Sequence, residues 1–139
     1  MQTLGVGIDV IEIDRIRAAV LRHPRLLARL FTEEERRYCE QSGVPYPHYA
    51  TRFAAKEAVA KSLGSGIRGM AWKDIEIIND ALGKPTVRLV GGAARLAAAL
   101  GVGDIMLSLS SSREHAAAVA LATAAVLSVA DRGPGTGDR

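Results

Sequence analysis

One cysteine, Cys39, stands among 139 residues, so the chain can neither close a disulfide within itself nor build a thiolate metal site alone. A reduced, cytoplasmic setting is the expectation. Aromatic residues make up only 4% of the chain, which leaves no row of rings on which nucleic-acid bases could stack. No run approaches the ~18 uninterrupted apolar residues of a membrane-spanning helix. The opening "MQTLGVGIDV" carries neither a basic leader nor a cleavage-like site. Neither a membrane nor a nucleic acid is therefore expected as a partner. The glycine-rich phosphate loop of a doubly wound fold is missing as well.

What is present suits one compact core. The composition is 48% hydrophobic, the length allows a single domain over residues 1–130, and the last nine residues, "DRGPGTGDR", read as a disordered tail at 131–139. The formal net charge is only +3, but arginines cluster between residues 15 and 37, which favours an anionic partner.

"TLGVGIDV" sets Leu4, Val6 and Ile8 against Gly5, Gly7 and Asp9, the period-two pattern of a strand. The expectation is that the aliphatic face packs and that the glycine face lets a ligand approach the backbone. "EIDRIRAAVLRH" has helical spacing, and Pro24 is expected to end that helix and open the next. Thr32 and Glu35 match a capping box. A loop, "SGVPYPHY", should lead into a helix from about Ala50 to Leu63. "WKDIEIIND" and "TVRLV" read as strands around the turn "ALGKP", "AARLAAALG" as a short helix, and "DIMLSLS" and "HAAAVALATAAVL" as paired strands, the last ambiguous with helix. The fold class predicted is α+β, one antiparallel sheet covered on one face by helices.

The chemistry gathers in "RFAAKEAVAKSLG", residues 52–64. At about 100° per residue, Glu57 and Lys61 are neighbours, while Arg52 and Lys56 fall beside Val59 and Leu63. A helix that is apolar or small nearly all round should be buried, so its charges need partners. Glu57 and Lys61 could be an ordinary surface ion pair. Alternatively Glu57 joins Asp9 as a second carboxylate for a hard cation such as Mg²⁺, with Lys61 placed to neutralise a phosphate. Asp9 has a competing role as the cap of the helix that follows. Spacing alone leaves both roles open.

Taken together, "GVGIDVIEIDRI", "FTEEE", "RFAAKEAVAKSLG", "IEIINDALGKPTV" and "LSLSSSREHAAAVAL" resemble holo-acyl-carrier-protein synthase, the small phosphopantetheinyl transferase family, over nearly the whole chain except the tail. The resemblance implies Mg²⁺-dependent transfer of 4′-phosphopantetheine from coenzyme A to a serine of apo acyl carrier protein, releasing adenosine 3′,5′-bisphosphate, in fatty acid biosynthesis. It also implies a homotrimer with coenzyme A at the subunit boundaries. Matched by motif, Asp9 and Glu57 are the metal ligands and Lys61 meets the diphosphate. Arg52, Lys56, Gly83, Lys84, Pro85 and Ser111 become coenzyme A neighbours. The proton acceptor for the serine is either Glu57 or a water that it orients at the metal. Arg15, Arg22 and Arg25, with Arg29 beyond, match the surface that receives acidic acyl carrier protein; otherwise they form an ordinary solvated basic face.

The chain departs from the family at Ser111, where the family usually has a histidine. Losing a charge-assisted hydrogen bond there would cost roughly 1.5 to 3 kcal/mol, about ten- to hundredfold in binding. Weaker coenzyme A binding or slower turnover is expected, with activity retained. The alternative is a catalytically impaired homologue that still binds the carrier protein. His115, four residues on, reads as a partly buried strand residue.

Overall fold

The computed structural model describes residues 2–126, so the tail expected at 131–139 lies outside the described residues. The elements run β1 (Thr3–Glu12), α1 (Ile13–Arg22), α2 (Leu26–Leu30), α3 (Glu33–Glu40), α4 (Pro45–Ser62), a single 3₁₀ turn (Trp72–Asp74), β2 (Ile75–Asn79), β3 (Pro85–Leu89), α5 (Gly91–Leu100), β4 (Val102–Ser111) and β5 (His115–Ala124). Strands β1, β5 and β4 form one antiparallel sheet in that order, and β2 and β3 form a separate hairpin. The predicted α+β class holds. The alanine-rich last segment is strand: β5 pairs with β1 on one side and β4 on the other.

Helix α4 is the element around which the others pack. Its Ala54, Ala55, Ala58 and Val59 meet Ala118, Ala120 and Ala122 of β5 and Ile105 and Leu107 of β4 in one core, which α5 completes through Ala93 and Ala97. Small side chains on both surfaces let helix and sheet approach closely. The helix begins at Pro45 rather than near Ala50, so residues 42–44 of the expected loop stay outside it and the rest of that segment forms its first turn. Proline suits that turn because its missing N–H would have no helical partner there. Pro24, in contrast, ends α1 but does not open α2, which starts at Leu26.

The faces of β1 are the reverse of those expected. Val6, Ile8 and Val10 are 60 to 63% exposed and Leu4 41%, whereas Gly5 and Gly7 face α4. A Cβ on Gly5 would overlap the carbonyl oxygen of Ser62, and one on Gly7 that of Ala58. The glycines thus admit a helix, not a ligand. Gly7→Ala should cost about 3 kcal/mol, the upper part of the overpacking range, because backbone rather than a side chain stands in the way. Urea denaturation would measure this, and an unchanged midpoint would refute the close approach.

The capping box at the start of α3 is present: Glu35 N donates to Thr32 Oγ1 at 3.2 Å and Thr32 N to Glu35 Oε1 at 2.8 Å. Glu35 goes further. Its Oε2 accepts from Ile77 N at 2.8 Å, and its Oε1 pairs with Lys56 Nζ at 2.9 Å, both side chains being fully buried. Lys56 also donates to the carbonyls of Trp72 and Ile75. One ion pair therefore ties α3, α4 and the β2 hairpin together. Burial pulls the Lys56 ammonium below its usual pKa, and Glu35 counters that pull. Cys39 is buried and free, its thiol pushed up to about 12 chiefly by burial, so it is inert as a nucleophile.

Candidate active site

The fold brings Asp9 and Glu57 to one groove of about 420 Å³, although 48 residues of chain separate them. Asp9 lies within β1, three residues before its end, and is not the cap of α1: that position belongs to Glu12, which makes no side-chain capping bond. Lys61 Nζ pairs with Asp9 Oδ1 at 3.2 Å and donates to the carbonyl of Ile8 at 3.0 Å. Lys61 thus reaches across to the strand, and the simple i,i+4 pair with Glu57 is absent from the ion pairs of the described residues. Burial, and next the negative charge of Asp9, hold the Glu57 carboxyl above its ordinary value, with Lys61 opposing.

Two carboxylates facing one groove, with a lysine paired to one of them, have the donor chemistry of a hard-cation site. No cluster of three or more potential ligands occurs among the described residues. A site with two carboxylates leaves the remaining positions to water and phosphate oxygens, which is what Mg²⁺ prefers. The residues fit that ion.

The same groove has an apolar floor that includes Ile16, Leu26, Phe53 and Trp72, the last two rings stacked at 4.9 Å. Arg15 and Arg29 stand at its rim. Arg15, Arg22, Arg25 and Arg29 are all exposed, and no ion pair among the described residues takes up any of them.

A second cleft, of about 380 Å³, lies between α4, the hairpin turn and the edge strand β4. It collects Arg52, Gly83, Pro85 and Ser111, four of the residues that the resemblance makes coenzyme A neighbours, with Tyr38, His48, Thr51, Asn79, Ser108 and Ser110, which sequence reasoning did not single out. The turn at its lip is held by Asp80, whose Oδ1 accepts from Leu82 N and Lys84 N at 2.9 Å each, while Gly83 takes φ +85°, a conformation that favours glycine. Lys84 is exposed and outside the cleft lining.

Arg52 is 3% exposed; its Nη2 donates to Asn79 Oδ1 at 3.0 Å and its guanidinium stacks 3.9 Å above the Tyr38 ring, but its buried Nε has no partner. An orphaned buried donor costs about 1–3 kcal/mol, so a bound acceptor here would gain that back.

Two expectations need correction. Lys56 cannot face a ligand, because it is fully enclosed and its three N–H groups are spent on Glu35, Trp72 and Ile75. His115 opens β5 as expected of a strand residue but is exposed rather than partly buried. The two clusters of expected residues also stand apart: the cleft and the groove share no lining residue.

The 4′-phosphopantetheinyl transferase superfamily model matches residues 5–120. The holo-[acyl-carrier-protein] synthase of Moorella thermoacetica is 52% identical over 118 residues, covering 85% of this chain and 92% of that protein. The crystal structure of the holo-[acyl-carrier-protein] synthase from Neisseria meningitidis superposes with a TM-score of 0.81 at 33% identity, covering 87% of this chain and 98% of the other. That of the Bacillus anthracis enzyme, in complex with coenzyme A (3′,5′-ADP), gives 0.74 at 31% identity, covering 89% and 99%. With a matching fold and relatives aligned over most of their length, the chain belongs to the holo-[acyl-carrier-protein] synthases of the 4′-phosphopantetheinyl transferase superfamily.

Proposed function

We propose that this enzyme transfers 4′-phosphopantetheine from coenzyme A to a serine of apo acyl carrier protein, supplying the carrier for fatty acid biosynthesis. The observation that carries the reading is the meeting of Asp9 of β1 and Glu57 of α4 in one groove, with Lys61 of α4 ion-paired to Asp9. The serine oxygen bonds to the phosphorus that bears the pantetheine arm. The bond from that phosphorus to the bridging oxygen breaks, and adenosine 3′,5′-bisphosphate leaves. Lys61 places a point cation against the diphosphate, and the hydroxyl proton passes to Glu57, directly or through a water. Bound to Asp9 and Glu57, Mg²⁺ would supply Lewis-acid neutralisation of the diphosphate. Mass spectrometry of apo carrier protein incubated with enzyme, coenzyme A and Mg²⁺ tests this; no gain of a phosphopantetheine mass at high enzyme concentration would favour a carrier-binding homologue without turnover.

The working form is a homotrimer in this reading. Coenzyme A needs both the diphosphate cluster and the hairpin cleft, yet these share no wall within one protomer. The exposed Val6, Ile8 and Val10, continued across the sheet by Val119 and Met106, form the apolar surface that would pack between subunits. Ile8→Asp should therefore yield monomers in light-scattering chromatography and lose activity. An active trimer in that variant would count against the assembly.

The carrier protein docks in this reading on the arginines of α1 and α2, where Arg15 and Arg29 flank the groove beside Glu57. Neutralising Arg15 and Arg22 together should raise the Michaelis constant for the carrier protein about tenfold and leave that for coenzyme A unchanged. Equal effects on the two constants would exclude the surface.

A further inference from the structure

The hairpin cleft contains an imidazole that this scheme leaves unused. Because α4 starts at Pro45, His48 stands one helical turn before Arg52 on the same side of the helix. Both line the cleft alongside Ser108, Ser110 and Ser111. Tyr38 orients the pair: Arg52 stacks on its ring face at 3.9 Å, and His48 meets it edge-on, at 88° and 5.6 Å between centroids.

No carboxylate is among the cleft's lining residues. The Arg52 guanidinium is permanently charged, and its buried Nε–H has no acceptor. The His48 ring makes no hydrogen bond among the described residues and is only half-buried. A cation with an orphaned donor, a ring N–H beside it and a row of serine hydroxyls together form a cradle for an anion.

We propose that His48 donates a hydrogen bond to the 3′-phosphate of bound coenzyme A, next to Arg52, and so favours coenzyme A over the form that lacks this phosphate. The inference rests on the coenzyme A reading above. In that reading the diphosphate goes to Lys61 and to the Mg²⁺ that Asp9 and Glu57 would hold, which leaves the 3′-phosphate as the anion for this cleft.

A proton accompanies the contact. The charged or titratable groups sharing the cleft with His48 are Arg52 on its own helix and Tyr38 on α3; the hairpin contributes Asn79, Gly83 and Pro85, and β4 only serines and leucines. Burial first, and then Arg52, hold the imidazole below its ordinary 6.5, so it is neutral in the free protein near pH 7. An arriving phosphate favours the protonated ring, so binding takes up a proton. Coenzyme A affinity should rise as pH falls from about 8 to about 6.

Titration calorimetry with coenzyme A and with dephospho-coenzyme A, in two buffers of different ionisation heat, tests this. His48→Phe keeps a ring against Tyr38 but removes the donor. It should weaken coenzyme A about tenfold, leave dephospho-coenzyme A unchanged, and reduce proton uptake below that of wild type. The residual uptake or release in this variant measures the phosphate's own titration. His48→Gln retains a donor without a titration, so it should keep more affinity than His48→Phe and show only the pH dependence that His48→Phe retains. A parallel loss for both ligands, or wild-type proton uptake in His48→Phe, overturns the proposal. Wild-type protein that binds neither ligand would overturn the coenzyme A reading itself, and the inference with it.

Discussion

Glu57→Gln is expected to remove transfer activity, by about 10²- to 10³-fold or more, while leaving the fold at least as stable as wild type. Its loss removes one of only two carboxylates facing the groove and the group proposed to take the serine's proton. Stability moves the other way because burial and Asp9 raise the Glu57 pKa above 4.5 in the folded protein. A carboxyl raised on folding destabilises the native state as pH climbs from its ordinary value through its raised one. The neutral amide avoids that cost at pH 7, and the advantage should vanish below pH 4.5, where the unfolded chain's carboxyl is protonated too. Carrier-protein mass gain and paired thermal melts at two pH values would check both halves. A variant that turns over normally, or one that melts far below wild type, would contradict the assignment.

Lys56→Met should be the most destabilising single change on α4, by about 3–5 kcal/mol in urea denaturation, because it strands a fully buried Glu35 without its cation. Glu35→Gln should cost a similar amount, for it leaves the buried ammonium with carbonyls alone. The double variant Glu35→Gln with Lys56→Met should lose clearly less than the sum of the singles, since the two side chains share one interaction. Additive losses, or a Lys56→Met loss under about 1 kcal/mol, would mean that the pair does not hold α3, α4 and the hairpin together. The contrast with Lys61, five residues on and 48% exposed at its side chain, separates a structural lysine from the one on the same helix proposed to meet the diphosphate.

Much of this was legible beforehand where the information is local. The capping box at Thr32 and Glu35, the turn before Pro85 and the two closing strands are all written in neighbouring residues. The burial of α4 followed from its lack of a polar face. The wheel sets Lys56 beside Val59 and Leu63, yet the resemblance makes it a coenzyme A neighbour, which its enclosure excludes. Its partner was hidden, because Glu35 already had a complete role as a cap. His48 was missed for a simpler reason: reading Pro45 and Pro47 as loop residues cut α4 short and removed the turn that aligns His48 with Arg52.

Alternation in β1 shows the same limit. A period of two assigns residues to two faces but does not say which face looks inward. The aliphatic face of β1 looked like the core and is exposed in the protomer, while the glycine face receives α4. Sequence alone determined most of the segments, the capping box of α3 and the hairpin turn, and, through resemblance, which acids and lysine to watch. Tertiary structure decided which charges become a buried tie and which remain free to act. Lys56 meets Glu35 across 21 residues and Lys61 meets Asp9 across 52, and only packing brings such distant groups within ion-pair range.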